Sequence, residues 1–129
     1  LLIGDLSFFY DRNALWHSHL PVTLRVVLFN NHGGGIFDLI DGPNRLPAEL
    51  HRAYFLTPNP LTAARTAADH GLAYHHAADA AALDEALAGF FAAQARPALL
   101  EIETDLASNS ELFRRVKTTL ADLHLPDPL

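Results

Sequence analysis

Two stretches decide the fold of this chain: Leu1-Leu2-Ile3-Gly4-Asp5-Leu6-Ser7 and Val26-Val27-Leu28-Phe29-Asn30-Asn31-His32-Gly33-Gly34-Gly35. Each begins with an apolar run of the kind found in strands that are buried on both faces of a parallel sheet. The 25 residues between Asp5 and Asn31 contain a plausible helix, so the unit is interpreted as strand, helix, strand. Because parallel strands end at the same edge of a sheet, Asp5 and Asn31 are expected to meet beside the glycines, where open α/β sheets bind ligands.

The rest of the chain continues this alternation, which predicts an α/β fold with a parallel sheet flanked by helices and right-handed crossovers. The patterns predict strands at about residues 1–3, 23–29, 72–75 and 98–102, and helices at about residues 8–17, 48–54, 59–70, 80–95 and 108–123. A long loop over residues 30–47 follows the second strand. Loops of this length in compact domains are usually functional or disordered.

Local capping signals set the expected helix ends. Ser7 is expected to cap the first helix, Asn59 to precede the Pro that opens the third, and Asp79 to cap the fourth. Gly71 suits the position just after a helix, and Ser108-Asn109-Ser110-Glu111 is a capping box for the last helix. The fourth helix carries an apolar stripe that is expected to face the core: Leu83, Leu87, Phe90 and Phe91.

Composition excludes several classes of protein. The 129 residues, 50% of them hydrophobic, suffice for one domain with a modest core. A net charge of −6 argues against a nucleic-acid surface, and the absence of Cys excludes disulfides, thiol catalysis and thiolate metal sites. No apolar run reaches the ~20 residues of a membrane span. The eight histidines lack the spacing of a zinc protease motif, and Asp38 stands where a dinucleotide fingerprint requires its third Gly.

The side chains at the expected sheet edge suit a hard cation that carries a diphosphate. The Asp5 carboxylate, the Asn31 amide oxygen and a free backbone carbonyl are ligands that Mg²⁺ prefers. The alternative is that Asp5 caps the following helix and Asn31 is a turn residue. The backbone N–H groups of Leu6 and Ser7 lie at a helix start, which favours anions, and the Ser7 hydroxyl suits either capping or donation to a phosphate. Asn30 is expected to brace the loop rather than bind the metal.

These residues resemble the thiamine diphosphate motif, in which Gly-Asp-Gly is followed at a similar spacing by Asn-Asn. Leu6 departs from that motif, because most of the superfamily has Gly there. One branch, the 2-succinyl-5-enolpyruvyl-6-hydroxy-3-cyclohexene-1-carboxylate synthases of menaquinone biosynthesis, is similar in Gly4-Asp5-Leu6-Ser7, Tyr10-Asp11-Arg12-Asn13-Ala14-Leu15 and Asn30-Asn31-His32-Gly33-Gly34-Gly35-Ile36-Phe37. A weaker likeness continues through residues 55–58, 70–74 and 99–105.

The resemblance implies a thiamine diphosphate-binding fold, with residues 1–129 forming the C-terminal part of its diphosphate-binding domain. The chain starts inside an apparent strand and contains no Met, so it is expected to be a fragment of a longer polypeptide. The pyrimidine-binding and central domains would lie upstream. In a homodimer or homotetramer, the pyrimidine-binding domain of a neighbouring subunit would supply the activating Glu, so no catalytic residue is expected in this fragment.

The resemblance also implies roles for individual residues. The Asp5 and Asn31 side chains and the Gly33 carbonyl would bind Mg²⁺ or Mn²⁺. Ile36 and Phe37 would line the substrate side of the thiazolium ring, the alternative being a small core contact that closes the loop. Thiamine diphosphate would be held by a larger set: Gly4, Asp5, Leu6, Ser7, Asn31, Gly33 and Ile36.

The function implied is that of a cytoplasmic transferase that decarboxylates 2-oxoglutarate and adds the succinyl unit to isochorismate. Two alternatives stay open: another thiamine diphosphate enzyme, such as an acetolactate synthase or a 2-oxo acid decarboxylase, and a non-catalytic anion-binding module of the same fold. The loop over residues 32–46 is expected to be mobile in the isolated chain, since its apolar side chains lack an obvious partner: Ile36, Phe37, Leu39 and Ile40.

Overall fold

The computed structural model describes residues 1–122 as alternating strands and helices, which confirms the α/β prediction. In chain order the elements are β1 (Leu2–Gly4), α1 (Asp5–Asp11), β2 (Arg25–Asn30), α2 (Ala48–His51), α3 (Ala64–Asp69), β3 (Ala73–Ala77), α4 (Ala80–Phe91), β4 (Ala98–Glu103) and α5 (Leu106–Asp122). Short 3₁₀ segments follow α1 and β2, and a π-helical turn, Arg52–Leu56, extends α2. Within residues 1–122, every helix is too short or too polar to cross a bilayer.

The four strands form one parallel sheet in the order β1-β2-β4-β3. Their bounds differ from the predicted ones by no more than two residues. The register pairs Gly4 with Phe29, and Asn30 with Glu103. The ends of β1, β2 and β4 therefore lie at one edge of the sheet, and the residues that follow β1 and β2 are neighbours there.

Two apolar layers cover the sheet, as expected for a parallel sheet with helices on both faces. One layer includes Phe8, Val26, Leu28, Ala63, Ala67, Leu72 and Leu99. The other includes Ala73, Ala77, Phe90, Ala98 and Leu100. Leu99 and Leu100 face opposite layers because successive side chains of a strand alternate between the faces. Glu101, the next residue of β4, is fully buried.

The first helix begins earlier than predicted, so the expected capping role of Ser7 is wrong. Gly4 is the N-cap of α1, in an extended conformation, and the helix starts at Asp5 with no side-chain cap. The chain thus passes from strand to helix without an intervening loop, which leaves Ser7 inside the first turn. Helix α1 ends at Asp11, and a 3₁₀ turn, Arg12–Leu15, takes the place of the predicted final turns.

The predicted starts of α3 and α5 are also wrong, because the side chains of Asn59 and Asp105 form hydrogen bonds that the capping prediction did not include. The Asn59 side-chain oxygen accepts a hydrogen bond from Leu61 N at 3.1 Å, forming a turn, and α3 starts only at Ala64. Asp105 lies ahead of the predicted capping box and accepts a 2.8 Å hydrogen bond from Ser108 N, so α5 starts at Leu106. The predicted end of α5 at residue 123 lies outside the described residues.

The other capping predictions are confirmed. Asp79 caps α4 by accepting a 2.8 Å hydrogen bond from Ala82 N, and Gly71 has φ of +70° after α3.

Helix α4 ends at Phe91 rather than residue 95, and Phe91 is 67% exposed, so its place in the buried stripe is wrong. Arg25 explains the early end, since its guanidinium donates to the carbonyl oxygens of Phe90 and Ala92 at 2.8 and 3.2 Å.

Candidate functional site

A cavity of about 410 Å³ opens where β1 and β2 end. Every residue that the sequence predicted for the site lines it: Gly4, Asp5, Leu6, Ser7, Asn31, Gly33, Ile36 and Phe37. Phe29, Gly34 and Gly35 also line it and were not predicted as site residues. The structure therefore brings the predicted residues together, while their individual roles stay predictions.

Asp5 has a buried carboxylate oxygen without a partner. The residue is 4% exposed, and its Oδ2 has no hydrogen-bond donor among residues 1–122. Asp5 is the first residue of α1 and makes no side-chain cap, so the capping interpretation receives no support. A desolvated carboxylate oxygen is costly unless it is paired with a donor or a cation. Asp5 consequently has the chemistry of a cation ligand that faces the cavity.

The start of α1 adds hydrogen-bond donors to the same wall. The N–H groups of Asp5, Leu6 and Ser7 belong to the first turn, where the helix offers no acceptor. Gly4 precedes them, and a Cβ atom at this position would meet no atom within 4 Å, so the space beside it is open. Free donors next to open space favour an anionic group. The Ser7 hydroxyl, which is not a cap, keeps its second predicted role as a phosphate donor.

Two glycines of the triplet, Gly33 and Gly34, are explained by close packing against the π-helical turn, whereas a Cβ atom on Gly35 would lie 2.7 Å from Asn31 Nδ2. A Cβ atom on Gly33 would lie 2.7 Å from Leu56 O, and one on Gly34 would lie 2.5 Å from Phe55 O. Gly34 N also donates to Leu56 O at 2.7 Å. Sequence reasoning had not identified this partner, because the two segments lie about twenty residues apart along the chain and share no local pattern.

Asn31 projects from the first turn of this loop. Its side-chain oxygen accepts a hydrogen bond from Gly33 N at 3.2 Å, which is the geometry of an Asx turn. A carbonyl oxygen has a second lone pair, so this contact leaves Asn31 able to bind a cation as well. The turn interpretation and the ligand interpretation of Asn31 are thus compatible.

Ile36 and Phe37 differ in their surroundings. Ile36 is 58% exposed, which argues against a core contact that closes the loop. Phe37 packs edge to face against Phe55, with ring centroids 5.4 Å apart, and its carbonyl oxygen accepts from His51 Nε2 at 3.1 Å. The expectation that Phe37 lacks a partner is therefore wrong. The loop also contains two 3₁₀ turns, Gly35–Asp38 and Pro43–Arg45.

Asn30 braces the loop, as predicted. It is fully buried at the end of β2, and its side-chain oxygen accepts a hydrogen bond from His32 N at 3.1 Å. Its amide nitrogen donates to Glu101 Oε1 at 2.6 Å. Glu101 was not predicted as a site residue, although a charged residue inside the apolar run Ala98-Leu99-Leu100-Glu101-Ile102 was a visible signal.

The rim beyond Asn31 carries ionisable groups. Glu103, at the end of β4, lies 3.3 Å from His32 Nε2 through one oxygen and 3.2 Å from His76 Nε2 through the other. These groups are partly exposed, so solvent screens their interaction. Within residues 1–122, no three His, Asp or Glu side chains converge as a metal site. The cavity thus combines one carboxylate, one amide oxygen and backbone groups.

Comparisons with known proteins find relatives that share one name. The chain is 48% identical over 125 residues to a 2-succinyl-5-enolpyruvyl-6-hydroxy-3-cyclohexene-1-carboxylate synthase of Cytophaga hutchinsonii, a match that covers 97% of the chain. Proteins of the same name from Porphyromonas gingivalis and Flavobacterium johnsoniae are 38% and 35% identical over 98% and 88% of the chain. No protein-family model matches.

The resemblance that the motifs predicted is thereby confirmed over nearly the whole chain. The chain spans only about a fifth of the length of these curated relatives, with 22%, 22% and 20% of them covered in the order of identity. What these proteins share with the chain is therefore one portion of their structure.

Proposed function

We propose that this chain, a homologue of a portion of the 2-succinyl-5-enolpyruvyl-6-hydroxy-3-cyclohexene-1-carboxylate synthases, anchors Mg²⁺ and the diphosphate of thiamine diphosphate. The observation that carries the proposal is the unpaired, buried Asp5 oxygen in a cavity that also contains Asn31 and the first turn of α1. The carboxylate suits a cation, and the free backbone donors beside it suit an anion. A cation bound together with an anionic group therefore matches the site better than a cation or an anion alone.

The residues present fit this group. Asp5 and Asn31 would bind the metal through their side-chain oxygens, and Gly33 through its carbonyl oxygen. Mg²⁺ requires near-octahedral coordination by oxygen atoms. Three protein oxygens would fill part of that shell, and oxygens of the diphosphate and of water would complete it. The N–H groups of Leu6 and Ser7 would donate to the diphosphate, and the open space beside Gly4 would admit it. Mn²⁺, which also accepts oxygen ligands, would suit the same set.

For the full-length protein we propose the synthase reaction that its relatives' name describes, and we assign it, from the resemblance of the motifs, to menaquinone biosynthesis. Its substrates would be 2-oxoglutarate, which loses CO₂, and isochorismate, which accepts the succinyl unit. The thiazolium ring of the bound cofactor supplies the electron sink for decarboxylation, while the protein supplies position and electrostatics. This chain would contribute the anchor: it holds the diphosphate end and fixes where the ring lies.

Ile36 and Phe37 would form the wall beside the ring. Phe37 is held by Phe55 and by the hydrogen bond from His51, whereas Ile36 is free to contact a substrate. An apolar wall excludes water and strengthens the electrostatic interactions inside the site. Proton transfer would rely on groups outside this chain, including an activating Glu from the pyrimidine-binding domain of a neighbouring subunit in a homodimer or homotetramer.

The test is a calorimetric titration of thiamine diphosphate into the full-length protein at saturating Mg²⁺. Asp5→Ala is expected to weaken cofactor binding by at least ~100-fold. Even substitution of residues that only hydrogen-bond to metal ligands lowers metal affinity or activity by about 10–100-fold. Asp11→Ala is the matched control, since it removes the same charge from an exposed position on the same helix. Equal affinity of the Asp5 variant and the wild type would remove Asp5 from the site.

Turnover decides the substrate assignment. Full-length protein with 2-oxoglutarate, isochorismate, Mg²⁺ and thiamine diphosphate is expected to release CO₂ and form the succinyl adduct. Pyruvate in place of 2-oxoglutarate separates the alternatives, because an acetolactate synthase or a pyruvate decarboxylase would use it. Tight cofactor binding without turnover of any 2-oxo acid would instead support a non-catalytic module.

A further inference from the structure

Glu101 is a fully buried carboxylate in the middle of β4, on the face that packs against α3. It accepts hydrogen bonds from Asn30 Nδ2 at 2.6 Å, Ala63 N at 2.9 Å and the Tyr74 hydroxyl at 2.6 Å. Among residues 1–122 no Lys, Arg or His side chain forms an ion pair with it. Its charge is therefore balanced by three oriented dipoles rather than by a cation.

All three partners act as donors to Glu101. The Ala63 N–H and the Asn30 NH₂ group can only donate. Burial, followed by the hydrogen bond to Glu101, raises the pKa of Tyr74 well above its ordinary value, so the phenol keeps its proton and donates as well. Both Glu101 oxygens are consequently acceptors, and the residue acts as a carboxylate.

This arrangement decides which way the Asn30 amide points. Its nitrogen must face the two acceptors on one side, Glu101 Oε1 and Leu61 O, at 2.6 and 2.9 Å. Its oxygen must therefore face the opposite direction, where it accepts from His32 N at 3.1 Å. The Glu101 carboxylate, together with the Leu61 carbonyl, thus sets the direction of a hydrogen bond that reaches the glycine loop.

The hydrogen bond from His32 N to Asn30 supports a residue of that loop whose backbone conformation is strained. His32 has φ of +60°, a left-handed conformation that non-glycine residues rarely adopt without support. Its N–H is held by Asn30, and its carbonyl oxygen accepts from Asn59 N at 3.0 Å. The two neighbours of His32 are Asn31 and Gly33, so holding His32 fixes where both of them face the cavity.

We propose that Glu101 is a positioning residue: through the Asn30 amide it holds His32 in its left-handed conformation and so presents Asn31 and Gly33 to the cavity. The structural contact stands by itself, whereas its consequence for cofactor affinity rests on the proposed function. A merely stabilising role predicts a lower unfolding midpoint without a selective change at the His32 amide, because losing an acceptor leaves buried donors unsatisfied wherever they lie.

The chain offers a selective way to break this contact. In Glu101→Gln, the side-chain oxygen can still accept from Ala63 and Tyr74, but the new amide nitrogen faces the Asn30 nitrogen, and two donors cannot pair. To pair with residue 101, Asn30 would have to turn its oxygen towards that side chain, which withdraws the oxygen from His32 N and the nitrogen from Leu61 O. The double variant Glu101→Gln/Asn30→Asp exchanges the carboxylate and the amide between the two positions. It restores a donor–acceptor pair between residues 30 and 101 and leaves a carboxylate oxygen for His32 N, but it removes the donor to Leu61 O, so the recovery is expected to be partial.

Hydrogen–deuterium exchange on the full-length protein without cofactor, read by mass spectrometry at the His32 amide, tests the contact directly. Glu101→Gln is expected to accelerate exchange at His32 at least tenfold, and the double variant to reverse part of that acceleration. Tyr74→Phe is the control: it removes a different donor to Glu101, so it should lower the unfolding midpoint without accelerating His32 exchange. If Glu101→Gln does not fold, Asn30→Ala must give the same acceleration.

Cofactor titration then measures the consequence for binding. With Mg²⁺ and thiamine diphosphate, Glu101→Gln is expected to weaken binding 10–100-fold and the double variant to recover part of the loss. Unchanged His32 exchange in Glu101→Gln, a wild-type His32 amide without protection, or a double variant that recovers neither property would each overturn the proposal. A wild-type protein that binds no cofactor would refute the proposed function alone, since the exchange experiment would still decide the positioning role.

Discussion

Asp5→Ala is expected to change stability and cofactor binding in opposite directions. In the cofactor-free chain, the Asp5 oxygen is buried in the cavity wall without a partner, which makes Asp5 a cost to folding. With Mg²⁺ and thiamine diphosphate bound, the same oxygen would have a cation to pair with. Removing the carboxylate should therefore stabilise the cofactor-free chain while it destroys the site.

The size of the stability gain follows from two opposing effects. A buried acceptor without a donor costs ~1–3 kcal/mol. An acidic side chain in the first turn of a helix contributes about 0.3–1 kcal/mol through the helix dipole, and this contribution is lost in the variant. The net effect of Asp5→Ala is then a gain of ~1–2 kcal/mol in the free energy of unfolding, or roughly 4–7 °C in the melting temperature of a domain of this size.

Urea and thermal unfolding of the 129-residue chain, without metal or cofactor, measure this gain. Asp11→Ala, which removes an exposed carboxylate from the same helix, should change the unfolding free energy by no more than ~0.5 kcal/mol. A clear loss of stability in Asp5→Ala would show that the carboxylate has a structural partner, and the reasoning from an unpaired oxygen would fail. So would an Asp5 variant that is more stable and still binds the cofactor like the wild type.

Four further predictions concern other parts of the chain. The isolated 129-residue chain should release no thiamine-dependent CO₂ from any 2-oxo acid, because missing general acid–base groups alone cost ~10²–10⁴-fold; robust release in a coupled assay would contradict this. Beyond the His32 amide that Asn30 holds, amide exchange across residues 33–46 should be fast in the isolated chain and slow in the full-length protein with cofactor, since ordering each residue costs about 1–2 kcal/mol; equally slow exchange in both would refute the predicted mobility. Gly34→Ala should lower the unfolding free energy by ~1–3 kcal/mol, because its Cβ would lie 2.5 Å from Phe55 O, whereas Gly4→Ala, with open space, should cost less in the same urea titration. The phenol of Tyr74 should titrate after the other two tyrosines in an alkaline absorbance titration, because burial and Glu101 raise its pKa, and Tyr74→Phe should abolish this late step. Since the phenol ionises first in the unfolded chain, the stability that Tyr74 contributes is present below pH ~10 and is lost at higher pH.

The parallel sheet and its functional edge were predictable from the sequence because they depend on local patterns. Apolar runs long enough to form buried strands, separated by helical stretches, allow few arrangements other than an α/β sheet. The residues that end such strands must then lie at one edge, which is why Asp5 and Asn31 line one cavity in the structure. The prediction that Asn30 braces the loop was confirmed, and it too depended on local pattern. A buried Asn at the end of a strand has few hydrogen-bond donors and acceptors within reach apart from those of the loop that follows it.

Helix starts were predicted less well, because several polar residues compete for each start and only the fold decides among them. Asp105 accepts from the N–H of Ser108, so α5 begins before the predicted capping box, and Gly4 allowed α1 to begin before Ser7. Either choice satisfies the local capping rules. The direction in which the strand enters the helix determines which one is used, and that direction is a property of the packed sheet.

Only the tertiary structure decided what surrounds the candidate site. The sequence by itself determined which residues reach the cavity, because strand ends and glycine loops are local features. It did not determine that Gly33 and Gly34 pack against the Leu56 backbone, nor that Glu101 orients Asn30 from a strand about seventy residues away. Such contacts join segments whose spacing along the chain carries no periodic signal, and they form only when the sheet brings β2 and β4 side by side.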